Sequence, residues 1–386
     1  MMEWSQYVRP VEEPLRYSQR LSQAVSFPQG DIAIEEALSR GPQAVLIGYP
    51  YYWRNQQLYY RAGITRLIRK RLYSLALISS ALRLVDLGDV ALNDVEDAPL
   101  RAVEELVTEL LHRGHRVIFF GGGQEAAEAL YKAVEAQETP FTYTLIDKRL
   151  DLIDPLAPLE VPARTYNLNI LRTQPIVWPT YLHVIGLAWH WVSPIEEDIL
   201  HTRLQVPYLR LHEVLEDPNR AEPLLRAARL ISMDGGVIRA ADAPSVLDPD
   251  PEGLPIEVAA KLMRFAGKGY YPDVLHLANF LPRREGAERT AAAFALLIWY
   301  FLEALLTPED DFPLPDRSNL EVYPVTLNTP EVSEILFYRH PGSGRWWMNI
   351  EPIQGGPAYL FPCDLSHYRY AVEEKEPPRL WYQLQV

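Results

Sequence analysis

A single cysteine, Cys363, occurs among 386 residues. An internal disulfide is thereby excluded, and so is a zinc site built on cysteine thiolates. Positive charge is also in deficit: the formal net charge is −14. A generic nucleic-acid face needs clustered Lys and Arg against phosphate, so no nucleic-acid partner is expected. One basic run stands out, "RLIRKRLY" at 66–73. It reads as the solvated face of a helix with Leu67, Ile68, Leu72 and Tyr73 beneath. Long apolar runs are missing too. The most apolar stretch, "TAAAFALLIWYFLEALL" at 290–306, has 17 residues, short for a membrane span and suited to a buried helix. The N-terminal "MMEWSQYVRPVEEPLRYSQR" lacks the apolar segment of a signal peptide. The expectation is a cytoplasmic protein without membrane contact.

What is present points to a large core. Hydrophobic residues make up 48%, enough for one big domain with an extension. Short apolar runs such as "AVLIGYP" (44–50), "RVIFFGG" (116–122), "FTYTLID" (141–147), "LHVIGLAW" (182–189), "AARLISMD" (227–234) and "DVLHLANF" (273–280) read as buried strands. Helical patterns lie between most of them, among them 62–77, 99–114, 125–137 and 255–267. This alternation predicts an α/β fold with a mostly parallel sheet covered on both faces. The texture changes near residue 307, where the Pro/Asp-rich "TPEDDFPLPDRSNL" precedes the strand-like "EILFYRH" and "RWWMNI". The expected division is an N-terminal segment (1–40), an α/β domain (41–307) and a C-terminal extension packed on it (308–386).

Ligands of parallel α/β sheets bind beyond the carboxyl ends of the strands, so the residues just after each strand matter most. "GGGQE" (121–125) is a glycine turn of the kind that can cradle phosphate. It matches neither a P-loop nor the spaced glycines of a dinucleotide fingerprint. "LIDKRLD" (145–151) places Asp147, Arg149 and Asp151 at a strand end, and strand alternation would send Asp147 and Arg149 to one side. "ISMDGG" (231–236) adds Asp234. Three carboxylates at neighbouring strand ends suit a cation, and equally suit turns and helix caps.

Five segments, in order, resemble those of the ureohydrolases: arginase, agmatinase and formimidoylglutamase. "VDLGDV" (85–90) is similar to the family's Asp-Leu-Gly-Asp strand end, and "FFGGGQE" to its Gly-Gly-Asp-His-Ser turn. "LIDKRLD" resembles its Asp-Ala-His-x-Asp strand end, and "SMDGGVIRAADAP" (232–244), followed by "EGLP" (252–255), its Ser-x-Asp-x-Asp segment. "RTAAAFALLIWYFLEAL" (289–305) resembles its late Thr-Ala helix, and the "RWWMNI" tail a formimidoylglutamase-like branch.

The resemblance implies a three-layer arginase-like fold with a central, mostly parallel sheet. In active members it implies two manganese ions, held by two histidines and four aspartates, that activate a hydroxide against a guanidino or formimino carbon. Carried over position by position, the ligand places fall on Gln124, Asp147, Arg149, Asp151, Asp234 and Gly236, of which only the three aspartates keep the family's residue. A substrate-binding glutamate would fall near 278–280, where the chain reads "LANFL". Arginine has no lone pair to give a metal, the Gln124 amide offers only a neutral oxygen, and Gly236 has no side chain. Arg149 is therefore expected to bridge the aspartates in the metal's place. The resulting expectation is a degenerate metal site in a pseudoenzyme, without cofactor or catalytic residues, keeping a structural, regulatory or binding role. The alternatives are a hydrolase of linear amidine or guanidino C–N bonds with one Mn²⁺ or Mg²⁺ on Asp147, Asp151 and Asp234, and a metal-free small-molecule binder. The tail aromatics Trp346, Trp347, Trp381 and Tyr382 either meet a protein partner or pin the tail to the main domain. The resemblance also allows a homo-oligomer.

Overall fold

The computed structural model describes residues 2–383 except 13, 15, 55–56, 92–97, 140, 153–166, 168–169, 171–180, 201–205, 283–284, 310, 312–316 and 352–357. Part of the Pro/Asp-rich connection after 307 and the side chain of Tyr382 fall outside the described residues. The strands are β1 (Val8–Arg9), β2 (Val25–Ser26), β3 (Ala44–Tyr49), β4 (Tyr51–Arg54), β5 (Gln57–Tyr60), β6 (Leu84–Val90), β7 (Val117–Gly121) and β8 (Thr142–Ile146). They continue as β9 (Tyr181–Leu187), β10 (Tyr208–Arg210), β11 (Ala228–Asp234), β12 (Val274–Ala278), β13 (Glu321–Thr326), β14 (Glu334–Arg339), β15 (Trp346–Ile350) and β16 (Tyr359–Cys363).

Ten strands form one sheet in the order β1-β6-β3-β7-β12-β11-β8-β9-β10, with β2 also on β6. Every pairing in it is parallel except β1 with β6. Period-two alternation splits each strand's side chains between two apolar layers. Leu46, Ile118, Ile231 and Leu275 face one layer; Val45, Ile47, Val117 and Phe119 face the other. The helices Gly63–Ser74, Ile256–Gly267 and Ala287–Leu305 cover the first face, and Asp31–Ser39, Ala98–His112 and Ala126–Glu135 the second. The three-layer α/β expectation holds. The apolar stretch at 290–306 belongs to a core helix that buries Phe294, Leu297, Ile298, Phe301 and Leu302. No helix among the described residues is long and apolar enough to cross a membrane.

The basic run at 66–73 is a correction. Ile68, Leu72 and Tyr73 are buried as expected, but Arg69 is buried too. It grips Asp86 through Nε at 2.7 Å and Nη2 at 3.0 Å, and Asp89 through Nη1 at 2.5 Å. Tyr73 also donates to Asp86, and Thr65 donates to Asp89 at 2.8 Å. Gly88, between the two acids, sits at φ +93°, and a Cβ there would lie 1.9 Å from the Arg9 carbonyl oxygen. Only glycine allows β1 to close on β6 at this point.

β13 to β16 form a separate antiparallel sheet, with Val325, Phe337, Trp346, Met348, Phe361 and Trp381 in its own core. One buried arginine joins it to the larger unit. Arg226, 0% exposed, donates to the carbonyls of Trp346 at 3.0 Å and Cys363 at 3.2 Å. Its guanidinium lies over Trp347, 4.7 Å from the ring centre, and Trp347 donates to the Tyr270 hydroxyl at 2.9 Å. Trp346, Trp347 and Trp381 are all buried. These three do not form the partner surface that was one expectation; they build the tail's core and its seam with the main sheet.

Candidate functional site

Four adjacent strands end beside one another: β7, β12, β11 and β8. Gln124 follows β7, Asn279 follows β12, Asp234 ends β11 and Asp147 follows β8. The fold thus brings together residues up to 155 positions apart. Gln124 Nε2 donates to Asp147 Oδ2 at 3.0 Å. Asn279 Nδ2 donates to Gln124 Oε1 at 3.2 Å and to Asp234 Oδ2 at 2.7 Å. The Gln124 backbone N–H donates to Asn279 Oδ1 at 3.2 Å. Two amides and two acids therefore form a continuous chain of hydrogen bonds. Asn279 is the member that sequence reasoning does not reach. It has φ +66°, a conformation asparagine tolerates better than most residues, and its N–H donates to Gly122 O at 2.5 Å.

The glycine turn does not present a phosphate cradle. The N–H groups of Gly122 and Gly123 donate to the Tyr49 and Tyr51 carbonyls at 2.6 and 2.8 Å. A Cβ on Gly122 would lie 1.7 Å from the Tyr51 oxygen, so this glycine serves close backbone packing. Beside it, Glu125 is buried, and its Oε1 and the Tyr49 hydroxyl have no hydrogen-bond partner among the described residues. Burial pushes the Glu125 carboxyl up to about 7.

Asp147, Asp151 and Asp234 converge as expected, each with a carboxylate oxygen within 4.8 Å of the others. Asp147 is raised well above the usual carboxylate range, first by burial and then by the charges of Asp234 and Asp151. Asp234 is raised by burial, opposed by hydrogen bonds from Gly236 N–H (2.5 Å) and Asn279 and by the charge of Lys148. Gly236 thus contributes through its backbone N–H.

Arg149 does not bridge these acids. Only its backbone N–H meets one of them, donating to Asp147 Oδ1 at 3.0 Å. Its guanidinium lies 4.0 Å from the Trp191 ring centre and reaches Asp248 at 3.3 Å. β8 ends at Ile146, so strand alternation, which would have put Asp147 and Arg149 on one side, no longer applies. The chain turns here, and Asp151 takes φ +50°. The cation that acts on Asp234 is instead Lys148, which is buried and bonds Asp248 O at 2.8 Å and Asp250 Oδ2 at 3.5 Å. Neither Lys148 nor Trp191 carries a sequence signal, because loop contacts made by 189–191 and 248–250 have no periodicity to reveal them.

This donor set does not fit a dinuclear metal centre. At the places to which the family resemblance would carry ligands, Gln124 and Arg149 offer no ring nitrogen, Gly236 has no side chain, and the Arg149 guanidinium is engaged with Trp191 and Asp248. Three carboxylate oxygens at this spacing suit the chemistry of a single hard cation.

The sequence profile of the arginase family matches residues 43–303, more than half of the chain. A search of curated proteins found no match. Among solved structures, Trypanosoma cruzi formiminoglutamase with Mn²⁺ is similar at 21% identity and TM-score 0.61, covering 70% of this chain and 95% of its own. Formimidoylglutamase from Bacillus subtilis is similar at 15% identity and TM-score 0.62, covering 78% and 97%. Agmatine ureohydrolase of Thermoplasma volcanium is similar at 18% identity and TM-score 0.55, covering 75% and 95%. At these identities the likeness is one of fold.

Proposed function

The chain belongs to the arginase family, and we propose that it has lost the dimanganese C–N hydrolase chemistry of that family and keeps a structural, regulatory or binding role. The observation that carries this reading is the pair of amides. Gln124 and Asn279 give N–H groups to Asp147 and Asp234. A carboxylate oxygen that accepts an amide hydrogen bond has less free lone-pair density to give a metal, and two neutral amides satisfy the acids without adding charge. The role left to such a site is to hold the ends of four strands together. The protein is taken to be cytoplasmic, and to self-associate as the resemblance allows. Its division at residues 40 and 307 is part of the same reading.

Elemental analysis after incubation with Mn²⁺ and desalting tests the central point. Loss of the added manganese on desalting, with no stoichiometric manganese or zinc retained, is the expected result. The companion assay offers arginine, agmatine, guanidinobutyrate and formiminoglutamate, with no urea or formamide expected above a protein-free control. A second reading draws on the convergence of Asp147, Asp151 and Asp234: a hydrolase of linear amidine or guanidino C–N bonds that uses one divalent ion. Stoichiometric retention of a single ion, with product release abolished by Asp234→Ala, would establish that reading and reject the first.

A further inference from the structure

A second concavity lies where the C-terminal extension meets the main sheet, away from the carboxylate site. It encloses about 290 Å³ between β10, the segment 211–224 and residues 364–380. That is the lower end of the size range of small-molecule sites, roughly 300–1,000 Å³. The chain as a whole is strongly acidic, at −14, yet this lining reverses the sign. Arg210, Arg220 and Arg379 face it with His212 and His367, against only Glu213 and Asp364.

Both acids are already engaged within the wall. Glu213 accepts from Arg220 at 3.0 Å and from the Arg210 backbone N–H at 2.8 Å. Asp364 caps the helix Leu365–Glu374 through the Ser366 N–H at 2.7 Å and lies 2.9 Å from His367 Nδ1. Two of the three arginines also lie over aromatic rings. Arg210 stacks 3.9 Å from the Trp189 ring centre, and Trp189 is itself stacked on Tyr208 at 6.3 Å and 23°. Arg379 lies 4.6 Å from the Tyr208 ring centre. In the ladder Arg210–Trp189–Tyr208–Arg379 each guanidinium carbon lies over a ring, and each guanidinium is a planar group of five N–H donors. Planar N–H pairs of this kind match the oxygens of carboxylate and phosphate.

We propose that this junction cavity is a binding site for a small metabolite-sized anion bearing carboxylate or phosphate, gripped by Arg210 and Arg379. A shared turn links it to the carboxylate site. The short segment Trp189–Trp191 carries Trp189 into the ladder and Trp191 against Arg149. The proposal does not rest on whether the carboxylate site binds metal, and it stands or falls separately.

The test is calorimetric titration of the full-length protein with inorganic phosphate and, separately, glutarate, at low ionic strength. Tryptophan fluorescence reports on Trp189 in parallel. Saturable binding of at least one probe is expected, weakened about tenfold or more in Arg379→Gln and in Arg210→Gln and reduced by added salt. Phosphate alone or glutarate alone identifies which oxyanion chemistry the site prefers. Arg379 is exposed, so Arg379→Gln is a variant that folds even where Arg210→Gln does not, and it suffices alone to test the site. No saturable binding of either probe overturns the proposal. So does binding that Arg379→Gln leaves unchanged, because the anion would then lie elsewhere.

Discussion

Two acid clusters lie in the same sheet, one within β6 and one at the ends of β8 and β11, and solve the same problem in opposite ways. Asp86 and Asp89 on β6 share ion pairs with the buried guanidinium of Arg69 and accept hydrogen bonds from Tyr73 and Thr65. Asp147 and Asp234 lie with Asp151 beyond β8 and β11, and among the described residues no guanidinium is bonded to Asp147 or Asp234. These two receive neutral amides from Gln124 and Asn279. Lys148 acts on Asp234, with its ammonium bonded to Asp248 and Asp250. An ion-paired carboxylate keeps its charge when buried. One that has only amide donors is pushed toward its protonated form by burial and by its like-charged neighbours. Asp147 and Asp234 follow that logic, for both are raised. The charge carried by the donor, more than the number of carboxylates, decides whether a buried acid is pushed toward its protonated form.

The largest expected effect is therefore in the first cluster. Removing Arg69 leaves Asp86, 0% exposed, with an uncompensated charge. Breaking a buried ion pair from one side typically costs about 3–5 kcal/mol. Arg69→Ala should destabilise the fold by that much at pH 7, lowering the denaturant midpoint with the slope unchanged. Arg69→Lys should recover only part, because an ammonium cannot bond Asp86 through two nitrogens while also reaching Asp89. A wild-type midpoint for Arg69→Ala would show that the guanidinium contributes nothing net and would dissolve the contrast between the clusters.

Glu125 sharpens the comparison as a third case, a buried acid whose Oε1 has no partner among the described residues. Its carboxyl is raised from 4.5 to about 7 by burial. Between those values the folded protein binds the proton more tightly than the unfolded chain does. The stabilisation from this group is complete below about pH 4.5, is lost as pH rises toward 7, and is level above that. A tenfold change in proton affinity is about 1.4 kcal/mol, so the loss is of order 3 kcal/mol. Glu125→Gln cannot ionise. Its stability relative to wild type should climb across that window and then plateau. A difference between the two proteins that stays flat across the window would place the carboxyl in contact with water.

How much of this is legible in the sequence depends on the range of the contacts. Strands such as 44–49, 117–121 and 228–234, and helices such as 287–305, are written in local periodicity, and the order of five motifs carries the arrangement of strand ends. The convergence of Asp147, Asp151 and Asp234 follows from that arrangement. β1 and β2 are two residues long, and their place on β6 is set by partners more than fifty positions away. Arg69 sits in a run of cations whose pattern alone looks solvated; the acids that draw it inward are on another element. Asn279 stays hidden because the family resemblance points to a carboxylate at 278–280, and a neutral amide there has no counterpart in that pattern. Arg149 is misplaced by strand alternation because the period-two rule holds only as far as Ile146, where β8 ends.

Arg149 also carries the smallest expected effect, and the one that separates a bridging arginine from the geometry found here. A bridge across the three aspartates would make Arg149→Ala as costly as the loss of Arg69. In the structure its guanidinium meets Asp248, which is 40% exposed, and the face of Trp191. An ion pair this open to solvent is worth about 0–1 kcal/mol, and a cation over an accessible ring about 0.5–1 kcal/mol. The Arg149 backbone N–H to Asp147, which any residue but proline supplies, survives the substitution. Arg149→Ala should therefore cost no more than about 2 kcal/mol in denaturant unfolding, and added salt should shrink that difference. Arg149→Lys should recover little of it, because an ammonium lacks the flat face that stacks on Trp191. Tryptophan fluorescence supplies an independent readout, since Trp191 loses its guanidinium while Trp189 keeps Arg210. A cost of about 3 kcal/mol or more for Arg149→Ala, the size of a broken buried pair, would put the guanidinium back among the aspartates and make the two clusters alike.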